Sequence, residues 1–415
     1  MRTYSSAEST IRVIERSLES REPGMSISRT TMLLSFAGAI LTGRAAHTQG
    51  LFEQTELFVS AQDNYLAYRI PALVCTNNGT VLAFTEGRKE VGQDGGPTDI
   101  VMKRSLGNSG QWDSPEIHGW GRNRHNTMIW LPMQLVFRSL HGEAWMNPVP
   151  VVDRRDGTVY VLANRFEQPY KDGPAGIWMV RSSDEGATWS DPVEVTEGTG
   201  KHEIGPGAGI QLQSGRLVVQ VYDGIVYSDD RGKTWKQGGT AAGERNESQV
   251  VELVDGSLLF SRRKSPNRVI LYSKDHGQTW SEPVPDPDLP DPDCQGSMIR
   301  YTREDQGYRS NRLLFANPVS GAIAAGSVES DPRGRFNVTV RMSYDEGKSW
   351  PVEKRILTGP GAYSSMAVFP DGSIGILFET GNQYGEYVDH YGKEVFARFT
   401  VDWLTDGKDH LAKRN

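Results

Sequence analysis

"SSDEGATW" at residues 182–189, "SDDRGKTW" at 228–235, "SKDHGQTW" at 273–280 and "SYDEGKSW" at 343–350 are one pattern, Ser-x-Asp-x-Gly-x-Thr/Ser-Trp, written four times. One copy alone invites a metal reading, because Asp275 and His276 are ligand types. His276 has no counterpart in the other copies, so the shared residues describe a structural module before any chemistry. Within it the Asp can accept backbone N–H groups of its own loop, the Gly supplies positive φ, and the Trp plugs the gap between sheets. The first three copies start 46 and 45 residues apart, the length of one four-stranded propeller blade, and the fourth starts 70 residues later. A degenerate copy, "SLGNSGQW" at 105–112, keeps only the Ser and the Trp in register.

Around the repeats lie short β-branched-rich runs such as "GTVYVLANR", "GRLVVQVYD", "GSLLFSRR" and "GSIGILFE", punctuated by Gly, Asp, Asn or Pro. Helical periodicity is absent after residue 50. Both features predict an all-β propeller, in which a closed ring of blades buries faces that one blade cannot bury alone. "PDPDLPDPD" at 285–293 reads as a stiff solvated loop rather than a calcium site. "HNTMIWLPMQLVFRSLHGEA" at 125–144 is an apolar segment expected to form an entrance loop.

The 415 residues carry a formal net charge of −7 and no dense Lys/Arg run, which excludes general nucleic-acid binding. An anionic ligand would therefore need a local basic cluster. After Met25, Arg29 precedes an apolar run from Met32 to Leu41 and the small residues Gly43, Ala45 and Ala46. That layout predicts a signal peptide over 25–47, with residues 1–24 outside the mature protein, export from the cell, no lasting membrane span, and one domain over 50–410. Cys75 and Cys294 are expected to be buried thiols, although sequence alone leaves a bridge open.

These Asp-box turns, together with "YRIPAL" at 68–73, resemble the bacterial exo-α-sialidases (neuraminidases), a family of six-bladed β-propellers with Asp-box (BNR) repeats. The resemblance runs from about residue 50 to "FARFTVDWLTDG" near the end. It implies a monomeric hydrolase that removes terminal sialic acid from sialylated glycoconjugates, with no cofactor and no metal. Sialic acid bears a carboxylate on its anomeric carbon, and arginine pairs bidentately with such a group. The family's three arginines match Arg69 in "YRIP", Arg263 in "LLFSRR" and Arg335 in "RFNVTVRMSYDEG". Arg262 competes with Arg263, since neighbours on a strand face opposite ways, and Arg333 and Arg341 compete with Arg335.

A substrate carboxylate would repel an Asp or Glu nucleophile but not a neutral phenol, and sialidases are the known exception that uses tyrosine. The resemblance places that nucleophile at Tyr363 in "GPGAYSSMAV", its general base at Glu247 in "RNESQVV", and the general acid at Asp94, with Asp99 as competitor. Arg88, Met146 and Tyr222 match further positions around the sugar. Two alternatives stay open: a catalytically silent propeller that binds acidic glycans, and a trans-sialidase or an enzyme for a related nonulosonic acid.

Overall fold

The computed structural model describes residues 50–90, 94, 96–106, 128–167, 173–319, 334–384 and 387–413. The leader expected at 25–47 and the segment 1–24 lie outside them, as does most of the degenerate repeat at 105–112. Four antiparallel sheets of four strands stand alone, and a fifth sheet has eight strands. The eight-stranded sheet is two blades joined by one parallel pair, Thr98 with Ala144. Its halves are Ala67–Cys75, Val81–Arg88, Thr98–Arg104 and Gln134–Phe137, then Ala144–Val152, Val159–Phe166, Gly176–Ser182 and Val193–Glu194. With that sheet divided at its parallel pair, the described residues form six four-stranded blades.

Blades three to five run Ile210–Gln237, Ser248–Pro290 and Ser297–Arg355. Blade six contains Gly361–Val368, Ile374–Thr380 and Lys393–Phe399, and its outer strand is Phe52–Val59 from the other end of the chain. Phe52 pairs with Phe399, so the two ends of the domain close the ring through backbone hydrogen bonds. The inner strands of successive blades touch, except that blade three meets the inner strand of blade four through its second strand, Leu217–Val221, and the inner strand of blade one meets that of blade six. Six apolar clusters, one at each junction, hold the blades together: Leu82, Phe84 and Val161 between one and two, for example, and Leu73, Ala367 and Phe396 between six and one.

Each good copy of the repeat links the third and fourth strands of its blade. In Ser273–Trp280, Asp275 Oδ1 accepts from Thr279 N at 2.8 Å and Oδ2 from Thr279 Oγ1 at 2.6 Å, while Ser273 Oγ accepts from Gly277 N at 2.7 Å. His276 sits at φ 57° and Gly277 at φ 87°, so two consecutive residues, not the glycine alone, adopt left-handed backbone. The threonine bonds hold the Asp275 carboxyl down at about 2. Trp280 donates from Nε1 to Gly239 O of the preceding blade at 2.9 Å.

Two expectations are corrected. Val284–Pro290, which overlaps "PDPDLPDPD", is the outer strand of blade four, with Leu289 buried. Proline is tolerated there because an edge strand has no partner on one side for the missing N–H to serve. Residues 128–137 are no entrance loop either: Met128, Trp130 and Met133 pack against the core between blades six and one, and Gln134–Phe137 is the outer strand of blade one. Cys75 and Cys294 are buried free thiols. Among the described residues, no helix is long and apolar enough to cross a membrane.

Asp275→Ala removes an acceptor for several turn donors and should destabilise the domain by about 1–3 kcal/mol in urea unfolding. The depressed carboxyl pKa means this contribution is complete above its unfolded value near 4 and fades as pH falls toward about 2. An unchanged midpoint in Asp275→Ala at pH 7 would show that the turn is held by its tryptophan alone.

Candidate active site

Three inner strands carry a β-bulge at the same end of the ring: between Arg69 and Ala72, between Met146 and Val149, and between Gly361 and Ser364. A bulge removes a residue from the ladder and leaves an N–H to be satisfied otherwise. Buried carboxylates take all three. Glu379 accepts Ile70 N on Oε1 at 2.8 Å and Tyr363 N on Oε2 at 3.0 Å, and Glu86 accepts Asn147 N at 2.9 Å. Ile70 stands at φ 63° and Asn147 at φ 55°. Positive φ in a β-branched residue is strained, and such strain persists where surrounding bonds over-determine it.

These bulges turn side chains into a cavity of about 410 Å³ at the ring's axis. Arg69, Arg263, Arg335, Tyr363, Glu247, Asp94, Met146 and Tyr222 all line it, together with Tyr391, Glu203, Asn147 and Phe166. Arg88 is not in the lining; it stands behind Asp94. Of the rivals, Asp99 is buried elsewhere, accepting from Tyr65 Oη and Ser139 N. Arg341 pairs with Glu353 within blade five, Arg262 points into another cavity, and Arg333 lies outside the described residues.

Glu247 and Arg263 face each other because they extend one ladder. Ser248 pairs with Arg262, and one step further Arg263 N donates to Glu247 O at 2.8 Å. Arg263 Nη1 then donates to Glu247 Oε2 at 2.6 Å and to Tyr363 Oη at 3.1 Å, while its Nε donates to Asp293 Oδ1 at 2.9 Å. Tyr363 donates its phenol proton to Glu247 Oε1 in a very short bond. Burial, reinforced by the charge of Glu247, pushes the Tyr363 phenol well above its ordinary value. The hydroxyl therefore rests protonated beside a built-in acceptor.

Arg69 donates from Nε to Glu379 Oε1 at 2.8 Å and lies 3.8 Å from the ring centre of Tyr391. Its two terminal nitrogens have no protein partner among the described residues. Arg335 donates to Tyr391 Oη at 3.1 Å and to Asp293 O at 2.8 Å, and lies beside the Tyr363 ring. Arg88 bonds Glu86 at 2.7 Å and Asp94 at 2.8 Å. Although burial raises the Asp94 carboxyl, Arg88, Arg69 and Arg335 outweigh it and hold Asp94 below its usual value. The Asp94 side chain is otherwise 74% exposed, at the mouth of the cavity.

Sequence reasoning missed Glu379, Tyr391, Glu86, Asp293 and Glu203. A signal existed for the first: "ILFET" places a carboxylate in an apolar strand, and a fully buried Glu needs a cation or several donors. Tyr391 had none, because it lies in the irregular connection between Ile374–Thr380 and Lys393–Phe399.

Glu379→Ala should cost about 3–5 kcal/mol in urea unfolding, since it leaves the buried Arg69 without its carboxylate and two bulge N–H groups without an acceptor. Glu379→Gln should cost less, because it keeps one acceptor oxygen. Equal, small losses for both would remove Glu379 from this organising role.

A family model described as a BNR repeat-like domain matches residues 79–376. An exo-alpha-sialidase of Aspergillus fumigatus is 30% identical over 380 residues, covering 83% of this chain and 86% of that one. A sialidase of Micromonospora viridifaciens is 30% identical over 390 residues, covering 85% of this chain but 56% of the relative, so the chain spans little more than half of that protein. Among solved structures, the Hadza microbial sialidase Hz136 matches with a TM-score of 0.67 and 25% identity, over 85% of this chain and 69% of the other. With the repeat, the ring and the arginine-lined cavity in place, the chain belongs to the BNR-repeat sialidase family.

Proposed function

We propose that this protein is an exo-α-sialidase that hydrolyses terminal α-linked sialic acid from glycoproteins, glycolipids and oligosaccharides, with retention of configuration. The observation that carries the reading is Tyr363 Oη, bonded to both Glu247 and Arg263 inside a cavity lined by three arginines. The substrate carboxylate pairs with Arg69, Arg263 and Arg335, whose fixed positions pre-organise a clamp in an otherwise acidic protein. Tyr363 Oη attacks the anomeric carbon as its proton passes to Glu247, the glycosidic C–O bond breaks, and Asp94 protonates the departing oxygen. Water then attacks the glycosyl-tyrosine. Asp94 takes the water proton, Glu247 returns one to Tyr363, and two inversions give retention.

A free-enzyme Asp94 held ionised by arginines is poorly prepared to act as an acid. Substrate supplies the correction, because its carboxylate neutralises Arg69 and Arg335 and so raises Asp94 toward its ordinary value. Transfer to a sugar acceptor would pass through the same intermediate and differ only in how water is excluded. The reading includes a monomer exported by the 25–47 segment, which the N-terminal residue of protein recovered from the culture medium would test.

A fluorogenic sialoside should be cleaved by wild type, and Tyr363→Phe and Asp94→Ala should each lower kcat by about 10²–10⁴-fold. Proton NMR of the first-formed sugar should show the α-anomer. Because Asp94 is depressed in the free enzyme and raised in the complex, the alkaline limb of kcat/KM should lie at lower pH than that of kcat. Arg88→Gln should move the kcat/KM limb upward. No released sialic acid, or full activity in Tyr363→Phe, would overturn the mechanism.

A further inference from the structure

The ring has a cavity at each end of its axis. Arg69, Met146, Glu247 and Tyr363 stand at the beginnings of four inner strands and line the substrate cavity. The last residues of the same strands, Cys75, Val152, Glu252 and Val368, line a second cavity of about 230 Å³, to which the inner strands of blades three and five add Ile210 and Met298. No residue lines both. Between them the chain itself forms a plug: Pro206 O accepts Gln249 Nε2 at 2.7 Å and Gln295 Nε2 at 3.3 Å, and both glutamines are buried.

The walls of the second cavity are largely alkyl, and its charges are unevenly matched. Arg300 and Arg303, two of its three arginines, are paired with Glu346 and Asp305. Arg154, just past the inner strand of blade two, is the third. Its Nη1 donates to Cys75 O of blade one at 3.1 Å, and its other nitrogens have no protein partner among the described residues. The residue is exposed to solvent, yet the surrounding protein lowers its pKa and no carboxylate counters that effect. The neighbouring acid, Asp153, is bonded to Arg231 at 2.8 Å and to Gln211 at 2.9 Å. Glu252 accepts Gln213 N at 2.9 Å on blade four, across the ring from Cys75.

An arginine held on one nitrogen, with others unused, pairs with a planar carboxylate, and alkyl walls favour an apolar body behind that group. A hydroxylated sugar would leave its hydroxyls against those walls without partners. We propose that this cavity is a second ligand site that takes an alkyl carboxylate, its oxygens on the Arg154 guanidinium and its chain against Leu73, Val152, Met298 and Met366. The site goes beyond the sialidase reading and does not rest on it, since the Pro206 plug separates the two cavities.

Octanoate titrated into the full-length protein by calorimetry tests the site, with octanol as the neutral analogue and free sialic acid as the competitor. The expected result is one octanoate bound per chain, at least tenfold weaker binding of octanol, at least tenfold weaker octanoate binding in Arg154→Met, and no displacement by sialic acid. Should Arg154→Met fail to fold, Ile210→Trp fills the cavity from a half-buried position, keeps the guanidinium, and should abolish binding. No binding at millimolar octanoate, equal binding of octanol, or octanoate binding that survives either variant overturns the proposal. So does displacement by sialic acid, which would put the octanoate in the Tyr363 cavity.

Discussion

The site depends on buried carboxylates that accept the N–H groups released by β-bulges. Glu379 joins Arg69 and Ile70 on the inner strand of blade one to Tyr363 on that of blade six, across the seam where the ring closes. Without an acceptor, both strands would have to return to regular pairing, and a one-residue return would send Arg69 and Tyr363 to the opposite face. The carboxylate therefore sets register as well as charge. Glu86 plays the corresponding part between blades one and two, holding Asn147 N on one oxygen and Arg88 on the other.

A third carboxyl lies behind these two and follows a different rule. Glu394 is fully buried and takes a hydrogen bond from Thr85 Oγ1 at 2.7 Å. Burial, with the charge of Glu379 added, pushes its pKa well above the carboxylate range, so it stays neutral. Neutral Glu394 adds no second negative charge beneath Arg69. The guanidinium then has one strong counter-ion at Nε, and its terminal nitrogens remain for an incoming anion. Uncompensated cations would repel one another across the cavity; the stacked Tyr391 ring, close to Arg69 and bonded to Arg335, spreads part of that charge.

Local bonding rules were legible in the sequence and long-range ones were not. The Asp boxes could be read because the bonds among their Ser, Asp, Gly and Thr span four residues or fewer, so the spacing of those residues encodes the turn directly. Arg69, Glu247, Tyr363 and the others could be placed only through family resemblance, since they are spread over almost the whole chain and no period relates them. The misread segment at 285–293 shows the opposite failure. Its composition favours a loop, but the preceding strand Asn267–Ser273 needed an outer partner, and tertiary pairing overrode local preference. Asp291 and Asp293 at its end then supply Arg268 and Arg263, a role that composition cannot express.

The adjacent pair Arg262 and Arg263 shows how little chain separates a site from its surroundings. Strand alternation sends the two guanidiniums to opposite sides, and the ladder that ends at Ser248 and Arg262 determines which one meets Glu247. A slip of one residue would exchange them, placing a cation held by two backbone carbonyls over the nucleophile. Register in blade four is held by the buried row Val250, Leu258, Phe260 and Leu271, far from any reacting atom. The chemistry at Tyr363 is thus set by apolar packing several residues away, and the core between blades is as much a part of the site as the arginines that line it.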